Sequence, residues 1–219
     1  MTSTLLNYLK KGLIIVLVSI FYSSLASAQA SISSDYKIWK QTQNKEKIIS
    51  HIGTTKVKGA TPTKVKMTIE ATPKDVVEAI TNFDKYHLWI PYCTKSNFVE
   101  KVNKNENYAY LYIDAPMVSD RDVYIFSTII KKSENSYEVI IEDKADYKPE
   151  KKGVVRIPHL YSHYYISGND NGSTQVTQFS ETALGGSIPD FLIDWSNKSQ
   201  PFETTKTLRE GIINNKFKK

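Results

Sequence analysis

Gly185-Gly186-Ser187-Ile188-Pro189-Asp190-Phe191-Leu192-Ile193-Asp194-Trp195 opens the stretch whose reading decides the fold, and it runs on to Phe217. The two glycines and the serine break the pattern before them. Pro189 and Asp190 suit the first turn of a helix, where a missing N–H costs nothing and negative charge meets the helix dipole. Beyond them Phe191, Trp195, Phe202, Thr205, Leu208, Ile212 and Phe217 recur near multiples of a helical turn, while Lys198, Lys206, Glu210 and Lys216 fall mostly elsewhere. The expectation is one amphipathic helix of about six or seven turns, bent near Pro201. Such a long apolar stripe needs a sheet to lie against.

The 219 residues allow one domain or at most two. Lys10-Lys11, an apolar run from Gly12 to Tyr22 and Ala26-Ser27-Ala28 follow the order of a secretory signal, with cleavage expected after Ala28. An uncleaved anchor is the alternative, but the run is shorter than the roughly 20 residues that span a bilayer comfortably. The expected organisation is a signal peptide over 1–28 and a single domain over 29–219, exported to the periplasm or secreted. No cysteine stands at the cleavage point, so lipid anchoring is not expected. Cys93 is the single cysteine, so no internal disulfide can form, and beside Pro91-Tyr92 it reads as a small core residue. Taking Lys10 and Lys11 from the net charge of +6 leaves +4, compatible with visits to anionic membranes or with a plain solvated surface. No basic run with interleaved aromatics points to nucleic acid.

Two short strands are expected over 36–42 and 45–52 with a turn at Gln43-Asn44. Lys64 to Glu70 alternates with Val65, Met67 and Ile69 inward. Thr72-Pro73-Lys74-Asp75 is a helix start, and Val76, Val77, Ile80 and Phe83 carry the helical spacing through Phe83. Strands follow over 95–102, 107–114, 121–132, 136–146, 153–167 and 173–184, with turns at 103–105, 133–135 and 168–172. Short loops favour antiparallel pairing. The exception is 115–120, where Pro116-Met117-Val118 puts an apolar tip on a loop. About eight or nine strands must curl, and a curled sheet under a long helix encloses a volume, whether filled or hollow. The class is α+β.

Trp89-Ile90-Pro91 after a helix, Val118-Ser119-Asp120-Arg121-Asp122 opening a strand, Gly153-Val154-Val155-Arg156 opening another, and Gly185-Gly186-Ser187-Ile188-Pro189 before the last helix occur in the order seen in START domains. The chain resembles that lipid-transfer family over about 35–215, and most resembles its bacterial exported members. The resemblance implies a helix-grip fold, in which a curved antiparallel sheet wraps a long C-terminal helix around an apolar cavity. It implies a lid over 189–217, a gate at Pro116, Met117 and Val118, one hydrophobic ligand such as a lipid or sterol, transient membrane contact and possible transfer between membranes. It implies no cofactor, no metal and a monomer. Polyketide cyclases and aromatases share the grip fold, so a cyclase-like enzyme is the alternative function, and an interaction module with a filled core is another. The best-known sterol carriers place a carboxylate and an arginine on two central strands; Tyr108 to Tyr112 and Val123 to Ser127 carry neither here.

The candidate ligand-binding residues are Trp89, Tyr110, Tyr112, Arg121, Val123, Ile125, Leu160, Tyr164, Phe191, Leu192 and Trp195. Arg121 either reaches the cavity mouth or pairs with Asp120, Asp122 or a neighbouring strand. Tyr110 and Tyr112 share one face and line the tunnel only if that face is inward. His159, Tyr161 and His163 read as an exposed polar face without a third metal ligand. No Gly-x-Ser-x-Gly, phosphate loop or zinc spacing is present.

Overall fold

A computed structural model of the protein describes residues 39–217. The leader expected over 1–28 lies outside the described residues. Among the described residues the strands are β1 (Lys40–Lys45), β2 (Ile48–Ile52), β3 (Ala60–Ile69), β4 (Cys93–Lys101), β5 (Glu106–Ile113), β6 (Arg121–Ser133), β7 (Ser136–Asp143), β8 (Val155–Arg156), β9 (His159–Gly168) and β10 (Thr174–Ala183). The helices are α1 (Pro73–Thr81), α2 (Asp190–Lys198) and α3 (Gln200–Ile213), with a 3₁₀ segment over Phe83–Leu88. The sheet runs β1-β2-β3-β10-β9-β7-β6-β5-β4, antiparallel throughout except that β8 pairs in parallel with β6. It curls, because Thr61 and Thr63 of β3 and Leu111 of β5 line one hollow although they lie toward opposite ends of this order.

Side-chain parity sets what faces inward. On β6, Val123 and Ile125 face the interior, and their partners on β5 are Leu111 and Ala109. Val65, Met67 and Ile69 are buried as their alternation predicts. In α1 the Thr72 hydroxyl accepts from the Asp75 N–H at 3.2 Å and Pro73 takes the first helical turn, while Val76, Val77, Ala79 and Ile80 are buried above β7 and β9. The helix ends at Thr81, two residues short of Phe83, and Asn82 leads into the 3₁₀ segment.

Three expectations are corrected. The first turn lies at Glu46-Lys47, not Gln43-Asn44: both residues are left-handed (φ 52° and 60°), the geometry of a tight two-residue hairpin, and 43–44 stays within β1. The strand expected over 153–167 is broken at Pro158, whose missing N–H cannot serve a ladder, so Val155–Arg156 pairs with β6 and a separate β9 begins at His159. The single long C-terminal helix is two helices. Ser199 is a single turn residue between them (φ −109°), and Pro201 enters the first turn of α3, because its ring nitrogen has no N–H to donate to a carbonyl of the preceding helix. The two helices also differ in burial. α3 buries Phe202, Leu208 and Ile212 against β2, β3 and α1, whereas α2 buries no residue.

Candidate functional site

α2 has no buried residue because a hollow lies beneath it. The cavity measures about 600 Å³. Leu111, Val123, Ile125 and Leu160 line it from the sheet, and Leu192 and Trp195 line it from α2. The 3₁₀ segment's end contributes Tyr86 and Trp89, whose rings meet edge-on at 4.7 Å. One wall is polar: Ser162 and Tyr164 of β9 face Gln178, Ser180 and Thr182 of β10. These groups largely satisfy one another. The Ser162 and Ser180 hydroxyls lie 2.8 Å apart, and Gln178 Nε2 donates to Tyr164 Oη at 2.9 Å. Burial pushes the Tyr164 phenol well above its ordinary range, so it stays neutral.

Of the residues named from sequence, Trp89, Arg121, Val123, Ile125, Leu160, Tyr164, Leu192 and Trp195 line the cavity. Tyr110, Tyr112 and Phe191 do not. Tyr110 and Tyr112 share β5's outer parity, opposite Tyr124 and Asp122, and their hydroxyls donate to Asp122 at 3.1 Å and to Asp120. The Ala109, Leu111 and Ile113 parity turns inward instead, since phenol groups in an apolar hollow would lack those carboxylate partners. Phe191 is 56% exposed on the far side of α2. In the gate loop Val118 lines the cavity, while Pro116 and Met117 do not, and Met117 is 72% exposed.

The aspartates beside Arg121 are engaged elsewhere. Arg156 takes Asp122 in a buried ion pair (Nε–Oδ1 2.6 Å) and also donates to the carbonyls of Ala145, Lys148 and Pro149. Arg121 points the other way and is itself buried; its Nη1 donates to Ser119 O and its Nη2 to Gly185 O at 3.3 Å. The expected ion pair is absent among the described residues, because successive residues of a strand point to opposite faces. Gly185 and Gly186, both left-handed (φ 67° and 65°), turn the chain beside this guanidinium; a Cβ at Gly186 would lie 3.6 Å from Nη2.

His163 is corrected too. It lies on the outer face but is buried, stacked on Tyr165 at 4.1 Å and hydrogen-bonded to Glu138 at 3.0 Å. No group of three metal-ligating side chains occurs among the described residues. Cys93 is buried, and that burial pushes its thiol up to about 11.

The cavity's rim is apolar and strained. Met117 (φ 66°) and Tyr92 (φ 60°) adopt left-handed backbone without being glycine, and Tyr92 is also exposed. The Asp114 N–H donates to Tyr92 O at 2.9 Å, and the Tyr92 ring meets Trp195 of α2 at 5.6 Å. Tyr92 thus joins the gate loop's root to the lid. Sequence reasoning missed Tyr92 and the β10 stripe; the Val176, Gln178, Ser180, Thr182 alternation was the available signal for the latter.

A curled antiparallel sheet gripping C-terminal helices over an apolar hollow defines a helix-grip protein. The sequence pattern of the START domain matches residues 20–218, and the chain belongs to that family. It is 32% identical over 188 residues to PA1579 of Pseudomonas aeruginosa, an uncharacterized protein, covering 83% of this chain and 88% of that one. It is similar to the crystal structure of a STAR-related lipid transfer protein from Xanthomonas axonopodis, with a TM-score of 0.72 and 27% identity, covering 80% of this chain and 98% of that one. Human StAR-related lipid transfer protein 5 shares the fold with a TM-score of 0.72 at 13% identity, covering 92% and 99% of the two chains.

Proposed function

We propose that the protein is an exported carrier that takes one hydrophobic small molecule, a lipid or a molecule of sterol size, into its cavity and moves it between membranes. The cavity carries this reading. Its lining is mostly apolar, and its size falls in the range of about 300–1,000 Å³ that single small ligands occupy. Burial of the ligand supplies affinity at about 25 cal/mol per Å² of apolar area. The Xanthomonas relative is described as a lipid transfer protein, which agrees with this direction.

Transfer rests on the rim. Met117, Phe191 and Ile193 are exposed apolar side chains on the gate loop and the lid, and a membrane is the medium that shelters such groups. α2, with no buried residue of its own, is the element that swings when the mouth opens on a membrane. Cleavage after Ala28, a single mature domain acting as a monomer, and a periplasmic or secreted location belong to the same proposal. For the cyclase alternative, the described residues that line the cavity supply tyrosines and Arg121 but no histidine or carboxylate to serve as a general base.

The test is native mass spectrometry of the protein purified from its own host, followed by transfer of a fluorescent lipid between vesicles. One bound lipid per chain, with transfer slowed by Met117→Asp while binding persists, is the expected result. A protein that co-purifies with nothing and takes up neither lipid nor sterol would sink the carrier reading.

A further inference from the structure

Among the described residues the charged side chains that line the cavity are Lys58 and Arg121, both cationic, and no aspartate or glutamate joins them. Lys58 is exposed, so water screens its charge. Arg121 is 3% exposed. Its two terminal nitrogens are occupied by the carbonyls of Ser119 and Gly185, and its Nε–H has no acceptor. The acids nearest in sequence are committed to the outer face, Asp120 to Tyr112 and Asp122 to Arg156 and Tyr110. A guanidinium stays protonated in any protein environment, so Arg121 is a buried cation with no counter-ion among the described residues. The indole Nε1–H of Trp89, also on the lining, has no acceptor either. On the β9–β10 wall the Ser162 and Ser180 hydroxyls pair with each other and Gln178 Nε2 with Tyr164 Oη, whereas the N–H groups of Arg121 Nε and Trp89 Nε1 stand without an acceptor.

Resting on the carrier reading above, we propose that the ligand is an anionic amphiphile, with a carboxylate or phosphate head on the Arg121 guanidinium and an apolar tail along Val123, Ile125 and Leu160. The head completes the valence of a buried donor that the chain leaves open, and it supplies the missing negative charge. A ligand with a cationic head is disfavoured by the same geometry, because nothing on the lining would neutralise it.

Dodecanoate, dodecyl phosphate and dodecanol carry one tail and differ in the head, and the fluorescence of Trp89 and Trp195 on the lining reports their binding. The wild-type protein should bind at least one of the two anions about 10- to 100-fold more tightly than the alcohol, the worth of one charge-assisted hydrogen bond. Arg121→Gln should bring the anions to the alcohol's level, and Arg121→Lys should keep much of the preference. Whether the carboxylate or the phosphate binds more tightly identifies the head. Equal binding of anion and alcohol by the wild-type protein overturns the proposal and leaves the carrier reading standing. An anion preference that persists in folded Arg121→Gln also overturns it. If no probe binds, both readings fail. Should Arg121→Gln not fold, the wild-type comparison and Arg121→Lys still decide.

Discussion

Val123 and Val139 are both buried valines on the inner face of the sheet, at 1% and 0% exposure, and both are to be changed to phenylalanine. Val123 meets the cavity, whereas Val139 lies on β7 in the packed part of the core, where α1 covers the sheet. A larger ring at Val139 has no room, and overpacking a core site costs about 1–3 kcal/mol. For a chain of this size that is a fall of about 2–12 °C in Tm. At Val123 the ring enters the hollow, displaces no protein atom, and leaves stability within about 1 kcal/mol of wild type. It also takes up volume that the ligand needs. Urea and thermal unfolding by circular dichroism, beside uptake of a fluorescent lipid, measure both effects. Val123→Phe should melt near wild type and lose uptake, and Val139→Phe should melt low and keep uptake when folded. Equal destabilisation at the two sites would refute the reasoning, because it would mean that the cavity is packed in solution.

Gly211→Ala places a Cβ 2.1 Å from the Phe217 ring, which must leave its buried position; about 1.5–3 kcal/mol of stability should be lost, and Phe217→Ala should make the glycine change nearly silent in a double-mutant unfolding cycle. Arg156→Met strips the buried Asp122 of its cation and should cost about 3–5 kcal/mol by urea denaturation, while adding Asp122→Leu should recover much of it. Burial holds His163 below its ordinary range against the pull of Glu138, so the unfolded chain takes up the proton first. Stability is therefore full above about pH 6.5 and declines as pH falls through that value. His163→Gln should reduce the slope of stability against pH in that window without abolishing it, since His51 is shifted the same way.

The local code carried much of this protein. The capped start at Thr72-Pro73, the alternation of Val65, Met67 and Ile69, the turns after β4, β6 and β9, and the Gly-Gly hinge before the lid are all set by near neighbours, and each stands in the structure where its residues place it. The apolar spacing of the last stretch was legible, though not its division into two helices, and eight of the eleven candidate ligand-binding residues lie on the hollow's lining. The order of motifs identified the family, because that order is written along the chain.

Tertiary structure decided what parity alone leaves open. Period-two alternation says that Tyr110 and Leu111 face opposite ways but not which way is in, and the answer came from Asp120, Asp122 and Lys151 waiting on the outer face. Arg121 looked like half of an ion pair until Arg156, thirty-five positions on, took Asp122 from the other side of the sheet. Ser199 could not be read as a break by periodicity, since the apolar stripe continues across it; only the packing of α3 on the sheet and the hollow under α2 separate anchor from lid. A sequence pattern records which residues avoid water, but whether the space they surround is filled depends on volumes contributed by strands far apart in the chain.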